Sequence, residues 1–167
     1  MNVVDRDLAE RRWLEVVRPV TLGSEVAALA QSLGRVLAVD VVSAVDVPAF
    51  DRSNVDGFAV RAEDTFGASE EGPRRLRIMG DELAPGVVCV DPVTPGSGRP
   101  IATGAVVPRG ADAIVMVEHA VTTRDGRVLV MKPVAPGAGV TFAGTDIARG
   151  ELVLRKGTRL WVDVDRL

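Results

Sequence analysis

The chain has 167 residues, 47% of them hydrophobic, and sets 20 Lys and Arg against 23 Asp and Glu for a formal net charge of −3. This suits one medium domain or two small lobes around an apolar core. Neither sign of charge gathers in a long block, so the electrostatic footprint of a nucleic-acid binder is missing, and no apolar run nears the roughly 20 residues that span a bilayer. The start, "MNVVDRDLAERRW", is charged where a secretory signal would be apolar, which points to the cytoplasm. One cysteine, Cys89 in "GVVCV", leaves no internal disulfide and no cysteine-based zinc cluster, and reads as a small buried hydrophobe.

In chain order, "DRDLAERRWLEVV" puts Leu8, Trp13, Val16 and Val17 on one side at helical spacing, with Asp5 as N-cap and Pro19 as stop. "GSEVAALAQSLG" predicts a second, shorter helix capped by Ser24, burying Val26, Leu29, Ala30 and Leu33 and closing at Gly34. From Arg35 onward the texture turns to β-branched runs broken by Gly, Pro, Asp and Asn, and this half reads as strand. "EDTFGASEEGPRRLR" reads as an exposed loop, and Asp125-Gly126 in "TTRDGRVLV" is a strong hairpin signal. A helical lobe therefore feeds a strand-rich one.

Three stretches carry candidate chemistry. "DRSNVDGFAV", residues 51–60, holds Asp51, Ser53, Asp56 and Gly57, residue types that suit a tight turn and that can also present Asp56 to a substrate. "RPIATGAVVPRG" sets Thr103 and Gly104 after a strand-like run, where bare backbone N–H groups and a hydroxyl can approach an oxyanion. "AGTDI" offers Asp146, able to cap a turn or to help hold a divalent cation. His119 beside Glu118 falls short of the three protein ligands a catalytic zinc needs, and reads as structural or surface histidine.

In their order, "GRVLAVDVVSAVDVPAFDRSNVDGFAVRAED", "RPIATGAVVPRGADAIVMVE" and "AGTDIARGELVLRKGTRL" resemble the N-terminal half of the molybdopterin molybdenumtransferases, the bacterial MoeA family, related to the gephyrin E domain. The resemblance runs from the first helix to about Leu160. It implies an enzyme that inserts molybdenum from molybdate into adenylylated molybdopterin with a divalent cation, usually Mg²⁺, releasing AMP. It implies Asp56, Thr103 and Asp146 as catalytic residues, Ser53, Gly57 and Gly104 as substrate-binding, and Asp56 and Asp146 as cation ligands. A carboxylate repels molybdate, so both aspartates make better sense as cation ligands or hydrogen-bond acceptors. The resemblance also implies a homodimer, and molybdopterin adenylyltransferase as the neighbouring enzyme.

The implied architecture is α+β and two-lobed. Residues 1–45 with 139–167 form a helical or mixed lobe, and residues 46–138 form an inserted, strand-rich, β-barrel-like lobe. Family members continue into molybdopterin-binding and C-terminal domains that are not in this sequence, so the chain by itself is expected to be inactive. The run "GVTFAGTDI" lacks the basic residues and glutamate that the family often carries there, and the alternative it leaves is a non-catalytic dimerisation or scaffolding module.

Overall fold

The structure is a computed structural model that describes residues 5–20 and 22–161; residues 1–4, 21 and 162–167 of the expected helical lobe lie outside the described residues. The chain divides into two compact units, Met1–Asp40 with Leu154–Leu167, and Val41–Val153. Residues 139–153 thus lie with the strand-rich unit.

In the first unit, helix α1 spans Arg6–Val17. Asp5 occupies the N-cap position, yet its side chain makes no capping hydrogen bond. At the other end Arg18 turns left-handed (φ 44°) and its N–H donates to the Leu14 carbonyl at 2.9 Å, one residue ahead of Pro19. None of the helix residues is buried by this chain: Trp13 is 57% and Val16 83% exposed. The second expected helix does not form, and in its place stands a single 3₁₀ turn, Leu29–Gln31. Short helices are marginal in water unless tertiary packing covers an apolar face, and Val26, Leu29, Ala30 and Leu33 are all exposed. Beyond it the backbone of residues 34–37 pairs with residues 158–160, through Gly34 N–H to Leu160, Leu37 N–H to Thr158 and Leu160 N–H to Arg35.

The second unit is built on strands. Two short ladders pair β1 (Val41–Val42) with β10 (Leu152–Leu154) and β2 (Arg52–Ser53) with β9 (Val140–Thr141). The main sheet has six strands: β3 (Gly57–Val60), β4 (Arg74–Ile78), β5 (Ser97–Ile101), β6 (Ala113–Met116), β7 (Ala120–Thr122) and β8 (Arg127–Val130). Their spatial order is β6-β3-β5-β4-β8-β7, antiparallel except for the β4–β5 pair.

The two edge strands, β6 and β7, are joined by only Val117–His119, a single 3₁₀ turn. In a flat six-stranded sheet the edges lie about 24 Å apart, whereas the four Cα steps from Met116 to Ala120 reach at most about 14 Å. The sheet must therefore curl into a half-barrel. Alternation then sorts its side chains. Val60, Leu76, Val115, Val128 and Val130 form the core on one face, and Ala59, Ile101 and Ile114 form a second cluster on the other, covered by Leu83 and Ala105.

The expected hairpin is present: β7 and β8 pair from Thr122↔Val128, and Gly126 takes φ 77° in the connecting turn. The polar stretch at 63–77 is more structured than its composition suggests. Thr65 is buried in a 3₁₀ turn, its hydroxyl donating to the Ala62 carbonyl at 2.7 Å and accepting from Val134 N–H at 3.0 Å, while Leu76 anchors β4 in the core. Two of the arginines that made this stretch look like loop, Arg75 and Arg77, are the outward half of a strand alternation, while Arg74, on the Leu76 side, donates to the Phe66 carbonyl at 2.8 Å. The alternation also leaves Arg77 directly opposite Arg127 on adjacent antiparallel strands, both exposed. Like charges so placed are destabilising. Arg77→Glu is accordingly expected to raise stability by about 0.5 kcal/mol, read as a higher urea midpoint at low salt; a lowered midpoint counts against the register.

Candidate functional site

Asp56 stands between β2 and β3, exposed, and its position is fixed from two sides. Its backbone carbonyl accepts the N–H of Val117 at 3.1 Å, tying it to the turn that joins the sheet edges. Its carboxylate Oδ1 accepts both the backbone N–H and the hydroxyl of Thr103, each at 2.7 Å. Thr103 can offer both donors because it lies in a tight turn: Ala105 N–H donates to the Ala102 carbonyl at 3.1 Å, and Gly104 takes φ 83°, which a side chain would resist. The Gly104 N–H in turn donates to the Ser53 carbonyl at 2.8 Å, clamping this turn to β2.

These bonds favour the charged carboxylate. The Thr103 N–H first, and its hydroxyl second, hold the Asp56 carboxyl below the usual carboxylate range, against a small opposing effect of desolvation. Asp56 is therefore an anion throughout the neutral range. Its second oxygen, Oδ2, accepts no hydrogen bond among the described residues.

Asp56 also lines a cleft of about 430 Å³ whose apolar walls include Phe58, Ile78, Pro100 and Val117, with Glu82 as its second carboxylate. Asp56, Phe58 and Val60 point to one face by strand alternation, and Phe58, Ile78 and Ala120 pack against the core cluster there. The cleft is thus the mouth of the half-barrel, with Asp56 on its rim.

Gly57 owes its identity to packing rather than to a turn. It is the first residue of β3, and a Cβ built there would lie 2.0 Å from the Val115 carbonyl oxygen of β6. Ser53 is 1% exposed; its hydroxyl donates to the Val55 carbonyl at 2.6 Å and accepts from Val55 N–H, a closed local ring facing the backbone. Asp146 lies in the turn after Phe142, where its N–H donates to the Val47 carbonyl at 2.9 Å. It is exposed, shares no hydrogen bond with Asp56 or Thr103, and does not line the cleft. The structure thus joins Asp56, Thr103 and Gly104 and sets Ser53 and Gly57 behind them.

Sequence reading missed Asp46, Glu82 and Phe58, and took Asp51 for a turn residue alone. Asp51 and Asp46 are backbone acceptors, taking the N–H of Ala143 and of Arg149, each at 2.8 Å, and so hold the segment that carries Asp146. Glu82 and Phe58 face the cleft, and the one available signal was Phe58 lying two residues beyond Asp56 in a strand. His119 is half-buried with its carbonyl accepting from Met131 N–H at 2.9 Å, and Cys89 is half-buried with its thiol on the Asp91 carbonyl.

Among the described residues no three of His, Cys, Asp and Glu gather as a metal cage. A single rim carboxylate with one open oxygen still fits Mg²⁺, which is commonly held by one or two carboxylates together with water and substrate phosphates.

Fold and site together define an α+β chain whose curled β-lobe carries an ionised acid–hydroxyl pair at its mouth. The profile described as "MoeA N-terminal region (domain I and II)" matches residues 5–163. The chain belongs to this family. It is 40% identical over 147 residues to a molybdopterin molybdenumtransferase of Bacillus subtilis (strain 168), covering 86% of this chain and 34% of the relative. To the protein of the same name from Staphylococcus aureus (strain MRSA252) it is 35% identical over 137 residues, covering 82% and 32%. Two crystal structures of a molybdopterin biosynthesis moeA protein from Pyrococcus horikoshii resemble it, with TM-scores of 0.82 at 41% identity and 0.73 at 44% identity. They are covered over 39% and 35% of their chains, against 90% and 81% of this one. The chain spans about a third of the length of these relatives.

Two measurements follow from the geometry. Gly57→Ala should cost about 2–3 kcal/mol, since β3 and β6 must separate to admit the methyl group; an unchanged denaturation midpoint contradicts the close approach. Thr103→Val removes the hydroxyl and keeps the N–H, so the Asp56 carboxyl, followed by ¹³C NMR, should titrate higher than in the wild type but still below a free aspartate. Because the folded pKa is depressed, the stabilisation from Asp56 is present above the unfolded value of about 4 and is lost as pH falls through the folded one. In the variant that loss should begin at the same pH, be smaller, and be complete at a higher pH.

Proposed function

We propose that the chain is the N-terminal part of a cytoplasmic molybdopterin molybdenumtransferase, which inserts molybdenum from molybdate into adenylylated molybdopterin. Family membership and the names of the relatives support the reaction class. The observation that carries the site is the Asp56–Thr103 pair, an anion with one oxygen locked and one open at the rim of a cleft. Asp56 acts there as hydrogen-bond acceptor for the substrate or as ligand to Mg²⁺, which when bound would offset the negative charge of the substrate's phosphates. Thr103 positions Asp56, and Ser53, Gly57 and Gly104 hold the backbone that carries both. Asp146 is a second carboxylate that substrate or cation would reach separately. An adenylated substrate requires an adenylyl-transferring enzyme upstream, the role of molybdopterin adenylyltransferase.

We further propose a homodimer in which the apolar stripe of α1 is covered by a second copy. Twelve helical residues with none buried, Trp13 and Val16 among them, are what a symmetric partner would cover. In that assembly Asp56 and Thr103 complete a site together with residues of the partner, so the 167 residues alone should show no insertion activity.

The test uses the full-length parent. Asp56→Ala should lower molybdenum insertion by about 10²-fold or more; a wild-type rate would sink the assignment. Mixing that variant, under subunit exchange, with a parent disabled only in its molybdopterin-binding domain should restore activity in the mixed dimer. Demonstrated exchange without recovery places the site within one subunit.

A further inference from the structure

The strand-rich unit has a second surface, on the side of the sheet that the cleft does not use. Where β4, β8 and β7 lie side by side, the face turned away from the Val128 core carries two rows of side chains. Arg75 stands beside Leu129 and Val121 in one row, and Arg77 beside Arg127 and Thr123 in the next. All three arginines are exposed, Val121 is 48% exposed and Leu129 is half-buried.

The fold leaves most of this positive charge uncompensated. Asp125 is the carboxylate that approaches it, with Oδ2 at 3.4 Å from the Arg127 Nε and Oδ1 accepting the Thr123 hydroxyl. That hydroxyl chiefly, with Arg127 and Arg75 adding to it, holds the Asp125 carboxyl below the usual carboxylate range. Among the described residues Arg75 and Arg77 have no ion pair at all. Arg77 also faces Arg127 at a cost to the sheet. In a chain whose net charge is −3, this face is a local inversion of sign, and such a field steers anionic partners.

The spacing of the charges narrows the choice of partner. Arg75 and Arg77 alternate along β4, about 6.6 Å apart, the same interval that separates alternate side chains of any extended segment. Carboxylates at every second position of such a segment can therefore meet both guanidinium forks. Beside them a depression of about 240 Å³, lined by Arg75, Thr123, Asp125, Arg127 and Leu129, has room for one side chain. Leu129 and Val121 supply an apolar floor that a bare inorganic anion has no use for. Neither row contains Phe, Tyr or Trp, so the stacking platform of a single-strand nucleic-acid binder is missing.

We propose that this face docks an acidic, extended segment of a separate protein, with alternate carboxylates on Arg75 and Arg77, one side chain in the depression beside Arg127, and an apolar residue on Leu129 and Val121. The surface is distinct from the cleft, and its role stands or falls apart from the proposed reaction.

The experiment titrates the 167-residue chain at low salt with a short peptide that alternates glutamate with threonine and carries one leucine, followed by amide NMR. Saturable shifts are expected at Arg75, Arg77, Val121, Arg127 and Leu129. The same peptide with glutamine for glutamate should bind about ten-fold more weakly. Two variants separate docking from folding. Arg77→Glu, expected to stabilise the sheet, should nevertheless weaken peptide binding about ten-fold, which damage to the fold cannot explain. Asp125→Asn keeps a favourable turn pair with Gly126 and removes the internal competitor for Arg127, so it should tighten binding about two-fold. Equal affinity for the two peptides, shifts confined to another surface, or wild-type affinity in either variant overturns the proposal. Inorganic phosphate or an oligothymidylate that shifts these amides at the same concentration as the peptide also overturns it, marking a small-anion site or a nucleic-acid face. In the full-length parent a fluorescent form of the glutamate peptide should bind as tightly as to this chain; loss of binding there means that the parent's other domains cover the face, and rules out a separate partner.

Discussion

The strand-rich unit depends on one constraint, the three-residue crossing from β6 to β7. Because Val117–His119 connects opposite edges of a six-stranded sheet, the sheet has to curl until those edges approach. Curling closes the apolar face of Val60, Leu76, Val115, Val128 and Val130 on itself, with Ala62 of the neighbouring 3₁₀ turn in the same cluster. The same crossing starts where the β3–β6 ladder ends: Gly57 pairs with Met116, and the next residue, Val117, donates its N–H to the Asp56 carbonyl. The segment that enters the crossing therefore also holds the acid at the mouth.

That shared dependence explains why Asp-Gly stands where it does. Asp56 has to be at the last position before β3 to reach the Thr103 turn, and the following residue must pass the Val115 carbonyl at a distance that admits no Cβ. Glycine here answers to strand packing, while Gly104, with its left-handed backbone, answers to turn geometry. Two glycines that look alike in sequence are thus required by different forces, and each supports one partner of the same hydrogen-bonded pair.

How far the fold was legible follows from whether its cause was local. The Asp125-Gly126 hairpin and the strand texture after Arg35 depend on turn chemistry and alternation within a few residues, and both are found. The helix expected after Ser24 needed a covering surface that Val26 and Leu33 do not have in this chain, and β4 was hidden because its outward residues are arginines. At the site, Asp56 and Thr103 could be singled out by motif. That a single oxygen of Asp56 receives both donors, and that Glu82 shares its cleft, arises from pairings across tens of residues that no local pattern encodes.

The electrostatics of the lobe limit what it can contribute to the proposed reaction between two anions. Its mouth carries two carboxylates, and the one whose bonding is fixed, Asp56, is held ionised by neutral donors rather than by a cation. Nothing in that arrangement attracts molybdate, and the Thr103 N–H and hydroxyl are already committed to Asp56. Under the proposed reading, oxyanion binding must therefore come from groups outside this cleft, with the lobe serving hydrogen-bond donors of the substrate or any cation it brings. On that proposal a chain spanning about a third of its relatives would supply the acidic part of the site, and charge complementarity would have the positive part supplied by groups outside the cleft.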